Sequence, residues 1–263
     1  LRLTFQGIAQ VGGAGVALDA LVLASTFGLA CVLGLRLLGL DKRTTLLIGA
    51  GSSICGAAAV LATAPVAKGR AQDVAVAIAT VVVFGTVGTF LYPALYQWNA
   101  AHGWLAIDAQ HYGLYVGATV HEVAQVVAAG AAVSPEATNT AVIAKMVRVM
   151  MLAPFLLLLS AAMARILRKE GAAAAGAGGI SIPWFALGFV AVAGIHSLGI
   201  LPASVVRLGV ELDNLLLAIA MAALGLTTHW QAVRAAGIKP LLLAALLFAW
   251  LLGAGGLLTY WLG

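Results

Sequence analysis

The sequence predicts an all-α protein that crosses a membrane several times, and two observations carry this prediction. Of 263 residues, 63% are hydrophobic and only 9% are charged, and the mean hydropathy is +1.07. A soluble domain carries roughly a quarter charged residues, so water could not solvate such a chain as a compact globule. The apolar residues also form blocks long enough to cross about 30 Å of hydrocarbon, which takes about 20 helical residues.

Length and loop punctuation place eight apolar blocks along the chain. They predict about eight transmembrane helices in a single transmembrane domain over residues 1–263, with no room for a soluble domain. Residues 1–12 are interpreted as the end of an earlier span, and the absence of a starting methionine predicts an N-terminal truncation. The blocks cover residues 16–38, 45–67, 74–96, 112–133, 140–166, 182–200, 205–228 and 240–262.

The formal charge of +5 does not point to nucleic acid, because the cations sit in short loops between apolar blocks. The opposite side of the predicted membrane holds mainly Lys68 and Arg70. By the positive-inside rule, the side with more Lys and Arg residues is predicted to be cytoplasmic, so Gly263 is expected on the outer side. The cytoplasmic cations would be Arg36, Lys42, Arg43, Arg165, Arg168, Lys169, Arg234 and Lys239.

Two blocks are poor candidates for uninterrupted helices. Residues 49–56 contain three glycines and two serines, and residues 112–133 contain three glycines besides polar side chains. Unwound backbone survives at membrane depth only where it faces protein or a wet cavity. We therefore expect two broken helices, which are typical of transporter substrate sites. The alternative is that these small residues only let helices pack closely.

Ionisable residues inside predicted spans are the strongest functional signal, because charge near mid-membrane costs about 2.5–3.5 kcal/mol or more. His121 and Glu122 lie near the middle of their block, and Gln125 follows on the same helical face. His121 and Glu122 are predicted to handle a coupling proton, with Asp213 as a further candidate. The alternative is that Glu122 only pairs with a cation and locks two helices together.

Lys145 and Arg148 lie three residues apart on one helical face, where they could pair with Glu122 or attract an anion. Alternatively, they extend to the membrane surface. Ser52 and Ser53, with backbone N–H groups around Gly51 and Gly56, would suit an anion at a half-helix terminus. Asp19 is expected at the membrane interface because it lies one turn into its block.

Other functional classes fit the residues less well. His121-Glu122 lacks the second histidine of a zinc protease helix, since position 125 is Gln. Ser52 or Ser53 with His121 lacks a third orienting group, so no enzyme is predicted. Cys31 and Cys55 both lie in apolar blocks, and no metal or cofactor is expected. A passive anion channel and a structural membrane protein stay open as alternatives.

Four segments resemble the YeiH-type bacterial membrane proteins, a family labelled as sulfate exporters: residues 49–63, 119–130, 148–155 and 222–229. The resemblance covers essentially the whole chain. It implies a bacterial inner-membrane protein of about eleven spans, distantly related to bile-acid and arsenite transporters, with inverted repeats and crossing broken helices. This chain would then lack the first two spans and most of the third. A short internal sequence similarity between residues 1–4 and 224–227 also predicts repeats.

The resulting hypothesis is a secondary transporter that exports a small anion such as sulfate or an organosulfonate across the lipid bilayer. Coupling to a proton or sodium ion and assembly into an oligomer are left open. Residues 49–56 and 119–125 would form a site near the membrane midplane. The predicted substrate-binding residues are Gly51, Ser52, Ser53, Gly56, Thr119, His121, Gln125, Lys145 and Arg148, and the proton-coupling residues are Glu122, His121 and Asp213.

Overall fold

All regular elements in the described part of the chain are helices, as predicted. The structure, a computed structural model, describes residues 5–169, 184–227, 234 and 236–262. Two π-helical stretches, Val32–Leu37 and Leu251–Gly255, continue α1 and α11. The helices are α1 (Phe5–Cys31), α2 (Lys42–Ser53), α3 (Ala57–Ala67), α4 (Ala71–His102), α5 (Ala109–Thr119), α6 (Val123–Ala131), α7 (Pro135–Met150), α8 (Leu152–Lys169), α9 (Trp184–Ser197), α10 (Ala203–Thr227), α11 (Ile238–Trp250) and α12 (Gly256–Leu262).

Four helical segments among the described residues are long and apolar enough to cross a membrane, which supports a polytopic membrane protein. They are Gly12–Leu37, Ala71–His102, Pro135–Arg165 and Ile238–Trp261. The prediction of about eight such helices was therefore wrong. Two of the eight predicted blocks are each divided into two helices of 9 to 12 residues, too short to cross alone. Of the others, α9 has only 14 residues, and α10 carries three charged side chains near its start.

The two broken helices expected from the sequence are confirmed. Block 45–67 is divided between α2 and α3, which are separated by three residues, Ile54 to Gly56. Block 112–133 is divided between α5 and α6, which are separated by Val120 to Glu122. These two interruptions, residues 54–56 and 120–122, are called the first and second break below.

Three helices hold the two broken pairs beside one another. α1 packs against α2, α5 and α7, and α4 packs against α2, α3 and α6. α7 lies along both α5 and α6. A Cβ at Gly113 would lie 2.6 Å from the Ala137 carbonyl oxygen, and Gly117 approaches the Ala141 carbonyl even more closely. Small residues thus bring α5 and α7 into near backbone contact.

The surface and the interior have the polarity expected in lipid. Large apolar side chains point outward, including Phe90, Leu158 and Ile238, which are 74%, 72% and 83% exposed. Several ionisable and hydroxyl side chains are instead buried in the interior. Since polar groups inside a bilayer usually face the protein interior, this distribution favours a membrane-embedded fold with an internal polar site.

Three expectations fall wholly or partly outside the described residues. The Gly/Ala-rich segment 171–179, whose composition predicts a flexible linker, lies outside them, and so do residues 1–4 of the short internal sequence similarity. The inverted repeats therefore stay a prediction. The location of Gly263 on the outer side also stays a prediction, which a topology reporter fused after this residue would test.

Candidate functional site

The two helix breaks meet at a single side chain. The Lys145 ammonium on α7 donates to the carbonyl oxygen of Ile54 at 2.7 Å and to that of Val120 at 2.6 Å. Ile54 and Val120 are the residues that follow the last turns of α2 and α5. One buried cation therefore joins the carboxyl-terminal ends of both half-helices.

Arg148, one turn further along α7, repeats this arrangement. Its Nε donates to the Ser53 carbonyl at 2.7 Å, its Nη2 to the Ser52 carbonyl at 3.3 Å, and its Nη1 to the Ala118 carbonyl. Lys145 and Arg148 are both fully buried. The last carbonyls of a helix lack partners within the helix and carry its negative end, so cations stabilise them.

These contacts decide between the alternatives that the sequence left open for the two cations. Lys145 and Arg148 do not extend to the membrane surface, since both side chains are 0% exposed. Nor does either form an ion pair with Glu122: within the described part of the chain, no carboxylate lies within salt-bridge distance of Lys145 or Arg148. Their donors are instead directed at backbone carbonyls of the two breaks.

The amino-terminal ends of the other two half-helices face Glu122. Its Oε1 accepts a hydrogen bond from the Ala57 backbone N–H at 3.2 Å, in the first turn of α3. A capping box also links it to Gln125, whose Oε1 accepts from the Glu122 N–H at 3.1 Å. Because a helix amino terminus favours negative charge, the Glu122 carboxylate lies where the ends of α3 and α6 would also attract an anion.

Gly56 makes this approach possible. Its φ of 66° and ψ of −133° are essentially restricted to glycine. A Cβ at this position would lie 2.5 Å from the Glu122 Cγ. Gly85 on α4 similarly leaves room for the side-chain amide of Gln125. Both glycines therefore fit closely around the polar groups of the second break.

Three of the predicted substrate-binding side chains have buried polar atoms without a hydrogen-bond partner: Ser52 Oγ, His121 Nδ1 and Gln125 Nε2. All three residues are 0–1% exposed. More than nine in ten buried polar groups in proteins have a partner, so such atoms require an explanation. Their concentration beside two helix breaks is suited to binding a polar ligand by hydrogen bonds.

The structure brings most of the predicted site together. Gly51 and Gly56 are linked by a backbone hydrogen bond of 2.9 Å across the end of α2. Ser53 is fully buried, and the Thr119 hydroxyl donates to the Tyr115 carbonyl within α5 at 2.6 Å.

Asp213 differs from the others, because it lies half-buried on α10. Its predicted proton-coupling role stays a prediction.

The predicted position of Asp19 was wrong. It was expected at the membrane interface, but it is fully buried and both carboxylate oxygens lack a hydrogen-bond partner. The backbone of α1 is non-helical at Gly12, and the span Gly12–Leu37 begins there, about one turn before block 16–38. Asp19 therefore lies about two turns inside the span. A helical signal was available: Asp19, Val22, Thr26 and Ala30 recur at helical spacing, and all four are buried.

A cavity of about 460 Å³ lies beside the second broken pair. Its wall is rich in aromatic rings and also includes Asn99 and Leu105, where the Asn99 side-chain amide forms two hydrogen bonds with the Leu105 backbone. Phe248 lies close to both the cavity wall and the second break, since its ring centroid is 6.4 Å from that of Tyr92 and 6.2 Å from that of His121. The aromatic lining includes Tyr92, Tyr96, Trp98, Trp104, Tyr112 and Tyr115.

Comparison with known proteins assigns the chain to a family. The family model described as conserved hypothetical protein 698 matches residues 1–244. A UPF0324 membrane protein of Pseudomonas aeruginosa is 66% identical over 259 residues, covering 98% of this chain and 73% of the relative. The UPF0324 membrane protein of Yersinia pestis is 58% identical over 254 residues, with coverage of 97% and 70%.

The UPF0324 inner membrane protein YeiH of Escherichia coli K12 is 58% identical over 263 residues, covering 98% of this chain and 72% of the relative. No solved structure matches the chain. The names of the relatives agree with the buried polar interior and apolar surface in indicating a membrane protein. The chain belongs to the UPF0324 family of YeiH-type bacterial membrane proteins.

Proposed function

We propose that this protein is a secondary transporter that exports a small oxyanion, such as sulfate or an organosulfonate, across the bacterial inner membrane. The observation that carries the proposal is the meeting of two helix breaks at Lys145, deep inside an apolar fold. Half-helices that end at one point near the midplane are the usual construction of a secondary transporter site. A protein that only needed to be stable in lipid would gain nothing from such breaks.

The chemistry of the site supports an anion as the substrate. The amino-terminal ends of α3 and α6 offer backbone N–H groups, and Gln125 Nε2 lies beside them without a partner. The Ser52 hydroxyl and the His121 ring supply two further buried polar groups. A tetrahedral oxyanion accepts several such hydrogen bonds at once. It would compete with the Glu122 carboxylate for the same helix ends.

The positions of the two cations favour a proton over sodium as the coupling ion. In transporters with broken helices, sodium is commonly coordinated by unwound carbonyls and half-helix carboxyl termini. Here Lys145 and Arg148 already bind the carbonyls of Ile54, Val120 and Ser53. Side-chain donors that cannot dissociate from the protein thus take the place that a dissociable metal cation would need.

Burial of the site favours alternating access over a passive channel. Ser52, His121 and Gln125 are 0–1% exposed, and Glu122 is 8% exposed. A channel needs a continuous wet path in its open state, whereas an alternating transporter passes through states in which the site is closed on both sides. Phe248, close to both the aromatic cavity and His121, is suited to act as a barrier on one side.

Flux through the full-length protein in liposomes tests this function. We expect labelled sulfate, sulfite or a taurine-like sulfonate to accumulate when a pH gradient is imposed. Glu122→Gln should lower this accumulation roughly tenfold, because the buried cluster loses a negative charge that balances one of its two cations. His121→Ala should weaken uptake through loss of a buried polar group at the site.

Asp108→Asn is the matched control, because Asp108 is an exposed acid that caps α5 through the His111 N–H at 2.8 Å, and Asn also caps helices. This variant should transport like the wild type. Net anion flux that does not respond to the pH gradient would instead indicate a passive channel. The proposal is wrong if no sulfur oxyanion moves under any gradient, and the proposed roles of Glu122 and His121 are wrong if both Glu122→Gln and His121→Ala leave transport unchanged.

A further inference from the structure

We propose that Asp19 binds the proton that accompanies the anion through this transporter, an inference that rests on the proposed function. Asp19 is 0% exposed and lies well inside a membrane-spanning helix. Neither of its carboxylate oxygens has a hydrogen-bond partner. A buried acid with no partner is far less costly in its neutral form, so proton binding is the natural chemistry of this side chain.

Glu122 is in a different situation although it is also buried. Its carboxylate accepts the Ala57 N–H and lies at the amino-terminal end of two half-helices, and both features stabilise the negative charge. Asp19 has no such fixed donors, so the stability of its ionised form depends on more distant charges. Of the two acids, Asp19 is therefore the one whose protonation responds most to what else enters the site.

The nearest such charges belong to α7. Lys145 and Arg148 are the two ions that act on Asp19 electrostatically. The other helices packed against α1 are α2, α5, α9, α11 and α12. Their acidic and basic residues lie in the first or last turns of these helices: Lys42, Arg43, His111, His196 and Lys239. Among the charged groups, the two cations at the breaks therefore have the strongest influence on Asp19.

Charge balance links this acid to the substrate. With Asp19 and Glu122 ionised, their two negative charges balance Lys145 and Arg148, and the buried cluster is neutral. An entering oxyanion would leave the cluster negative in a medium where unbalanced charge is expensive. Proton transfer from water to an Asp19 oxygen forms an O–H bond, breaks no bond in the protein and removes one negative charge from the cluster. Release of the anion lets the cations favour the ionised carboxylate again, and the proton returns to water.

Reciprocal coupling follows from this scheme. If the anion raises the affinity of Asp19 for a proton, the proton must raise the affinity for the anion by the same factor. Thr26, two turns further along the same buried face of α1, also has an unpartnered hydroxyl but cannot carry charge. Thr26→Val therefore serves as a matched control for Asp19→Asn.

The test uses the full-length protein in liposomes and two measurements, accumulation driven by a pH gradient and counterflow of labelled against unlabelled anion without a gradient. We expect Asp19→Asn to lose roughly tenfold in driven accumulation while counterflow persists, and Thr26→Val to retain both. Driven accumulation by Asp19→Asn at the wild-type level would overturn the inference.

A measurement on the wild type covers the case in which Asp19→Asn does not fold. Adding the transported anion to purified protein in weak buffer should cause uptake of about one proton per protein molecule. Counterflow without proton uptake would overturn the role of Asp19 and leave the proposed function standing. Absence of counterflow for every sulfur oxyanion would overturn the proposed function and this inference with it.

Discussion

Arg148→Met should destabilise the protein more than any other single substitution of a cation in the described helices. Methionine keeps much of the arginine volume but leaves the carbonyls of Ser52, Ser53 and Ala118 without their donor. Each buried polar group that loses its partner costs about 1–3 kcal/mol. We therefore expect a loss of about 3 kcal/mol or more in unfolding free energy, seen as a lower thermal unfolding midpoint in detergent.

Arg165→Met provides the control, because Arg165 is exposed on α8. Its replacement removes the same charge and should leave the midpoint within the range of ordinary surface substitutions, about 0.5 kcal/mol. Equal midpoints for Arg148→Met and Arg165→Met would show that the hydrogen bonds between α7 and the breaks do not stabilise the fold.

Gly56→Ala should nearly abolish transport and also reduce stability. The backbone conformation of Gly56 lies in a region essentially limited to glycine, and a strained residue there costs about 1–3 kcal/mol. The added Cβ would lie 2.5 Å from the Glu122 Cγ, so the carboxylate must leave the Ala57 N–H. We expect a clear drop in the unfolding midpoint and roughly tenfold slower anion counterflow.

Gly28→Ala is the matched control for this change. Gly28 lies in α1, and a Cβ there would meet nothing within 4 Å. Alanine should therefore stabilise the helix by up to about 1 kcal/mol and leave counterflow unchanged. If Gly56→Ala behaved like Gly28→Ala, the fit between the first break and Glu122 could not be a requirement of the site.

The glycine-rich block 49–56 illustrates how far the sequence could predict the fold. Both interpretations of its glycines were correct, but for different residues. Gly49 and Gly51 are helical, and a Cβ on either would lie less than 3 Å from a neighbouring side chain, so they serve close packing. Gly56 alone marks the break. A residue pattern cannot distinguish these uses, because they depend on which helix lies alongside.

The second break carries no glycine, so composition located it only indirectly. Gly117 is helical and packs against α7, and the chain leaves the helix at Val120 instead. The local signal is the Glu122 to Gln125 spacing of a capping box, which is typical of a helix start. The polar pair His121-Glu122 had indicated the correct position, but as a functional signal within one span.

The roles of Lys145 and Arg148 were beyond sequence reasoning for a physical reason. Their partners are backbone carbonyls, which become available only where two distant helices end. No side-chain pattern reports such acceptors. Asp19 was misjudged for a related reason, because its depth depends on where α1 begins, and helix ends are the least certain part of a sequence-based prediction.

The most direct test of the central claim, that the two breaks form one anion-binding site, is the thermal stability of the purified full-length protein with and without sulfate or a sulfonate. A bound anion at 100 times its dissociation constant should stabilise the wild type by about 2.7 kcal/mol. Ser52→Ala removes a hydroxyl that has no partner, so this variant should fold normally yet lose most of the anion-dependent stabilisation. Thr63→Val, which removes another unpartnered buried hydroxyl, should retain it. Absence of stabilisation in the wild type, or an equal response in Ser52→Ala, would contradict the account.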